Sequence, residues 1–270
     1  MHDSSEGEIL ASDLFMELAS ELRCSILMSV RRKPAKLSSL ARELNTSVQD
    51  VYRNVNRLTD IGLVKRENSE IHLTQYGRLV TKQIPYFIFM KKHVKFFESH
   101  TLGDIPEKFM QRIGALEKCE LVSSVAVVME RLKKLESGTK KQLRIMVSQA
   151  WAEEGRIIIE LSMHGVQVLS IIGKNTIMPK EIIDSIGRSI EKIPANQKMQ
   201  AKMVEKVDVA LYISDEQQAA AVMFPNMKGE IDMGTIFIGS DPAFCEWCND
   251  LFNHYWERGG YFDVSKTTIV

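Results

Sequence analysis

A chain of 270 residues, 44% hydrophobic and 26% charged, is comfortable for two domains, each with a buried core. Its formal net charge of +0 gives no overall pull toward nucleic acid, so any such preference must come from how the charge is distributed. Four cysteines are too few for a disulfide scaffold, and the longest apolar run, Ile84 to Met90, contains Pro85 and is too short to span a bilayer.

Residues 1–12 are polar and acidic and read as a disordered lead-in. They show no apolar core behind a basic start, so the expected location is cytoplasmic, with no membrane partner. Leu14, Leu18, Leu22, Ile26 and Val30 then mark one amphipathic helix, which Pro34 closes. The basic corner Arg31-Arg32-Lys33 suits a phosphate contact and a solvated helix end equally well.

From Lys36 to Leu73 the pattern tightens. Leu37, Leu40, Ala41 and Leu44 put one apolar face on a short helix, with Ser38 placed to cap its start. Asn45 permits a left-handed end, and Ser47 with Asp50 opens a second helix whose inner face is Val48, Val51, Val55 and Leu58. The opposite face carries Gln49, Tyr52, Arg53, Asn56 and Arg57. Gln and Asn pair bidentately with adenine and Arg with guanine, while Arg and Tyr also hold phosphate. After Gly62, Leu63 to Arg66 and Glu70 to Leu73 read as strands about an Asn68-Ser69 turn, and Lys65 and Arg66 charge that hairpin. Helix, turn, basic helix and hairpin make a winged helix-turn-helix, with double-stranded DNA as the expected partner. A helical hairpin with a merely solvated polar face is the plainer alternative.

The segment from about Asp13 to Val80, and above all LTDIGLVKRE followed by HLTQYGRLV, resembles archaeal and bacterial winged-helix regulators of the arsenic-repressor-like superfamily. Charge distribution agrees in sign. From Asp13 to Lys82 there are 12 Lys or Arg against 8 Asp or Glu, leaving a mildly basic module on a more acidic remainder.

Residues 83–120 read as a helical connector whose stripe of Phe87, Met90, His93, Val94 and Phe97 needs a partner. That partner is the second domain or, as winged-helix proteins commonly dimerise, another subunit; a homodimer is expected. His93 fits a packed core position better than a ligand. After the break at Leu102 to Pro106, residues 121–270 alternate helix and strand. Helices are expected at Glu107–Leu116, Ser123–Glu136, Glu153–Met163, Pro179–Ile190 and Asp241–Arg258. Strands are expected at Leu143–Val147, Val166–Ile172, Val207–Ile213, Ala219–Phe224 and Thr235–Ile238. The fold class is an α+β winged helix-turn-helix domain over 13–82, then a mixed α/β domain.

The run Phe224-Pro225, Lys228-Gly229 and Asp232, then Gly239 to Cys248 and Leu251 to Trp256, is similar to an archaeal sensor domain of winged-helix regulators of methanogenesis and filament formation. That resemblance implies a fold like the phospholipase D half. Where those enzymes carry His, Lys and Asp, this chain has Asn226, Lys228 and an Asp232 one residue early. Asn cannot form a phosphohistidine-type intermediate, so nucleophilic catalysis is lost. Asn226, Lys228, Asp232 and Trp247 remain candidates for binding a ligand, against the plainer reading of a polar loop.

Cys245 and Cys248 share a helix face, which admits redox sensing, but no second pair completes a zinc site. Two core cysteines beside Trp247 and Trp256 are the simpler reading. Phosphate loops, dinucleotide fingerprints and nucleophile elbows are absent, so no cofactor and no enzymatic activity are expected. The expectation is a sequence-specific DNA-binding transcription regulator whose α/β domain senses a small molecule, a protein partner or a redox change. The alternative is a winged-helix docking module or transcription adaptor without direct base reading.

Overall fold

A computed structural model describes residues 3–189, 199–215 and 218–270. The chain divides into two compact units, Met1–Pro85 and Tyr86–Val270.

The first unit holds α1 (Asp3–Leu18), α2 (Glu21–Arg32), α3 (Leu37–Glu43), α4 (Val48–Asp60), β1 (Val64–Glu67), β2 (Glu70–Leu73) and α5 (Gln75–Thr81). Two sequence expectations change here. Most of the supposed disordered lead-in lies in α1; Met1 and His2 lie outside the described residues. Leu14 and Leu18 at its far end pack on the unit's core. The single helix expected from Leu14 to Val30 is broken at Ala19-Ser20. There Ser20 leaves helical geometry and its hydroxyl accepts the Arg23 N–H at 3.4 Å as the cap of α2.

The core of this unit is Ile26, Leu27 and Val30 from α2, Leu40 and Ala41 from α3, Val51, Val55 and Leu58 from α4, and Leu63, Val64, Ile71 and Leu73 from the hairpin region. The periodicities of 3.6 and 2 therefore converge on one cluster. Asn68 and Ser69 both have positive φ, 49° and 63°, as a two-residue hairpin turn requires. Ala35 adds a bridge to Ile71.

The second unit begins earlier than the sequence suggested. The segment expected as a connector is instead built into it through α6 (Ile84–Lys92), α7 (Val94–Phe97), α8 (Glu107–Met110) and a 3-10 turn (Ile113–Leu116). Phe89, Phe96, Phe109, Ile113 and Leu116 are buried in its core, so much of the segment's apolar surface is satisfied within the unit. Met90 and Phe97 pack against that core, while Phe87 and Val94 are exposed. His93 is buried between Phe89 and Phe237, with ring centroids 4.8 and 5.0 Å away.

The remaining elements are β3 (Glu120–Ser123), α9 (Val125–Ser137), β4 (Gln142–Gln149), α10 (Ala152–Met163), β5 (Gln167–Met178), α11 (Lys180–Ser189), β6 (Gln200–Val204), β7 (Ala210–Ser214), β8 (Ala219–Met223), β9 (Thr235–Gly239), α12 (Pro242–Arg258), β10 (Gly260–Tyr261) and β11 (Thr268–Ile269). The expected helix end at Ile190 lies outside the described residues. The strands form one mixed sheet in the order β10-β6-β5-β4-β7-β8-β9-β3, with β11 also paired to β5. β4, β5 and β6 run parallel, and β4 through β7, β8 and β9 to β3 is antiparallel.

Both faces of the sheet are covered. Along β7, Leu211 and Ile213 face the cluster containing α12, while Ala210 and Tyr212 face the cluster containing α9 and α10. That is why β7 reads as a continuous apolar run rather than an alternating one.

Candidate nucleic-acid interface

The second helix of the helix-turn-helix is α4, and its local geometry follows from its first turn. Ser47 accepts the Asp50 N–H at 3.0 Å and donates its hydroxyl to the Asp50 carboxylate at 2.6 Å. Asn45, at φ 48°, turns the chain from α3 into this cap. By contrast, Ser38 does not cap α3; Lys36 occupies that place without a side-chain hydrogen bond, because the helix begins two residues earlier than the capping pattern required. With Val51, Val55 and Leu58 fully buried, Gln49, Tyr52, Arg53 and Arg57 are exposed and Asn56 is half-buried.

The exposed side chains are pre-paired. Arg53 binds Asp50 at 2.6 Å, one turn back on the same helix. Arg57 reaches the Glu17 carboxylate of α1 at 2.6 Å, and Glu17 also pairs with Arg23 at 3.1 Å. From the wing, Arg66 donates to the Asn56 side chain at 2.6 Å and lies over the Tyr52 ring, 4.8 Å from its centroid. Hydrogen bonds from Asn56 and Arg66, with the Arg66 charge, hold the Tyr52 hydroxyl below the ordinary tyrosine range. Lys65 pairs with Glu67 at 2.6 Å. α4 and the β1–β2 hairpin are thus joined through Tyr52, Asn56 and Arg66, a link across ten positions that helical spacing alone does not reveal. The Arg53–Asp50 and Lys65–Glu67 pairs, exposed on both sides, contribute little stability and exchange partners at small cost, whereas Glu17 is largely buried between Arg23 and Arg57.

The hairpin is anchored from below. Thr74 accepts the Gly77 N–H at 2.9 Å and donates to the Gly62 carbonyl at 2.5 Å. Gly77 sits so close that a Cβ there would lie 1.9 Å from the Leu63 carbonyl oxygen. In the basic corner, Arg31 donates to the Thr81 carbonyl at 3.2 Å and Arg32 is paired with Glu43.

In the second unit, Asn226, Lys228 and Asp232 do not form one cluster. Asn226 Oδ1 accepts the Lys228 and Glu230 N–H groups at 2.8 and 3.2 Å, shaping its own loop. Asp232 accepts the Gly234 N–H at 2.8 Å and the Thr235 hydroxyl at 2.6 Å, and pairs with His100 Nε2 at 2.9 Å. His100 is buried, stacked on Phe96 at 4.1 Å, and bonded through Nδ1 to Ser99 at 2.9 Å. Burial raises the Asp232 carboxyl, but the Thr235, His100 and Gly234 hydrogen bonds prevail and hold it below the usual range. The His100–Asp232 link spans 132 positions and has no sequence signal.

Trp247 is not placed to meet a ligand. It is fully buried and its indole N–H donates to the Phe109 carbonyl at 3.0 Å. Cys245 and Cys248 are likewise fully buried on α12, and burial pushes both thiols up, away from the thiolate that redox chemistry needs. The physical reason is common to all three: the face of α12 that bears them is the one packed on the sheet. Among the described residues no group of three or more His, Cys, Asp or Glu is placed to hold a metal ion, and no helix is long and apolar enough to cross a membrane.

Residues 12–90 match the family described as the HVO_A0261 N-terminal domain. Over 268 residues the chain is 19% identical to the methanogenesis regulatory protein FilR1 of Methanothrix harundinacea (strain 6Ac), covering 93% of this chain and 58% of that protein. The chain therefore spans less than two thirds of this relative's length. Among solved structures, TrmBL2, an archaeal chromatin protein described as having a novel mode of DNA binding, aligns at TM-score 0.41 and 12% identity, covering 90% of this chain and 94% of that one. NucT from Helicobacter pylori aligns at TM-score 0.41 and 14% identity over 54% of this chain and 99% of its own.

Proposed function

We propose that this protein is a DNA-binding transcription regulator in which α4 enters the major groove and the β1–β2 wing contacts the flanking backbone. The observation that carries this reading is the outward face of α4, where Gln49, Tyr52, Arg53 and Asn56 stand together with Arg66 of the wing locked against two of them. The match of residues 12–90 and the similarity to a regulatory protein support the same reading. In it, Gln49, Arg53 and Asn56 read base edges. Tyr52, Arg57, Lys65 and Arg66 hold phosphates. A homodimer presenting two α4 helices to successive half-sites completes the proposal.

The second unit acts as the sensor, biasing DNA binding by favouring one state of the protein over another. A small molecule or a protein partner fits the structure better than a redox signal, given the burial of Cys245 and Cys248. No catalytic role is proposed.

A docking module is the second reading, favoured by the pairing of Arg53 with Asp50 and Arg57 with Glu17, which leaves the reader face close to neutral. Salt titration of binding to DNA upstream of the gene separates the two. The regulator reading expects a steep fall of affinity with salt, and a slope smaller by about one for each cationic side chain removed in Lys65→Ala and Arg66→Ala. Affinity that is weak and indifferent to these substitutions would transfer the assignment to a protein-docking module.

A further inference from the structure

Across the sheet from α12, between α9 and α10, two glutamates are buried side by side. Glu136 and Glu154 are each 1% exposed, and beneath them the Tyr212 hydroxyl of β7 is completely buried. One Glu136 oxygen, both Glu154 oxygens and the Tyr212 hydroxyl have no well-formed hydrogen bond. Buried polar groups are ordinarily satisfied: Glu154 has the Trp151 N–H, the Tyr212 hydroxyl and Glu136 around it, which leaves the unpartnered Glu136 oxygen as the group that calls for a partner. Glu136 also forms part of the wall of a pocket of about 280 Å³, whose other walls are Met129, Leu132, Trp151 and Ile157. The Lys133–Glu153 ion pair, 2.5 Å long and more than half exposed, stands at its rim and cancels its own charge.

We propose that this pocket binds a small organic ammonium ion, with its charged head against Glu136, which has the buried Glu154 beside it, and its apolar body against Trp151, Leu132 and Ile157. The Glu136 carboxylate on the pocket wall offers a strong acceptor for N–H donors. The indole of Trp151 offers a face to the same cation. A bare metal ion is disfavoured because Glu136 is the one buried carboxylate on the wall, Glu153 at the rim is already paired with Lys133, and the other lining side chains are apolar. The size is at the small end of ligand pockets, which suits a monoamine rather than a nucleotide or a peptide. Without a cation the two carboxylates cannot both ionise so close together. Burial and their mutual repulsion keep protons on the pair. Binding of the ammonium therefore ionises a carboxyl group, and that proton leaves to solvent.

The site stands independently of the DNA reading and would serve it as the sensing site. Its test uses the full chain without DNA, so the two can fail separately. Benzylamine and its neutral counterpart benzyl alcohol would be titrated calorimetrically at pH 6.5 in buffers of different ionisation enthalpy. The expected result is benzylamine binding at least tenfold tighter than benzyl alcohol, with net proton release. Glu136→Gln should lose that preference while Glu153→Gln at the rim keeps it. Circular dichroism melts establish that each variant is folded. Equal binding of amine and alcohol, no binding of the amine, binding without proton release, or a folded Glu136→Gln that still prefers the amine would each overturn the proposal.

Discussion

At the scale of single residues, charge placement decides both stability and readout. Burial pushes Glu154 up to about 7 from its ordinary value of 4.5, while the Trp151 N–H, the Tyr212 hydroxyl and Glu136 pull the other way. Glu136 is raised as well. The folded chain therefore retains protons that the unfolded chain releases. This contribution is most favourable below about 4.5 and is lost as pH rises through 7. Replacing Glu154 with Gln removes the ionisation. Thermal melts are expected to show the wild type losing more stability than Glu154→Gln between pH 5 and 8, by an amount on the order of 2 kcal/mol. Parallel profiles for the two proteins would contradict the assignment. Asp215 works in the opposite sense. Burial raises its carboxyl, but the N–H groups of Gln142, Lys140 and Lys141 more than compensate and hold it low. Its contribution is present above the ordinary aspartate value of 3.8 and is lost as pH falls below it. Asp215→Ala is expected to cost about 1–3 kcal/mol at pH 7 in urea unfolding, because three backbone donors lose their acceptor.

Among secondary-structure elements, the winged unit depends on one close approach. The start of α5 packs against the base of the hairpin through Gly77, where there is no room for a Cβ beside the Leu63 carbonyl. Gly77→Ala forces the backbone apart and is expected to lower the stability of this unit by about 1–3 kcal/mol or more. Hydrogen exchange would locate the loss in β1 and β2; unchanged protection there would refute the packing argument. Neighbouring Gly62 tells a different story, since its φ is 75° with open space around it, so backbone conformation alone requires glycine.

Elements of this kind were readable from sequence where periodicity met a cap, as in α4, whose Ser47 and Asp50 form the expected bonds. The strands β4, β7, β8 and β9 were also legible as apolar runs near their observed bounds. Elements without such a pattern were not. β3 (Glu120–Ser123) and β6 (Gln200–Val204) are short, half-polar strands defined mainly by their neighbours in the sheet. The outward face of α4 was legible as a list of residues. The pairing of Arg57 with Glu17 and of His100 with Asp232 was not, because those contacts are made by the tertiary fold across 40 and 132 positions.

For the whole molecule, the boundary at Pro85 has a direct consequence. A fragment beginning at Tyr86 keeps Phe89, Phe96, Phe109 and Leu116 in the core of the second unit, whereas one beginning at residue 121 lacks all four. Deleting one buried aromatic typically costs about 3–5 kcal/mol, so the shorter fragment is expected not to fold. Calorimetry should give a cooperative transition for 86–270 and none for 121–270. A cooperative transition for 121–270 would restore the connector that sequence periodicity suggested.

The central claim is that α4 reads DNA sequence, and the most direct test is selection of sites from a random duplex pool by the full chain, comparing wild type with Gln49→Ala plus Arg53→Ala. The account predicts a defined motif for the wild type. In the variant, information at the bases facing these two side chains should collapse while salt-dependent binding persists, each lost base contact being worth about 1–3 kcal/mol of discrimination. An unchanged motif, or no motif for either protein, would contradict it.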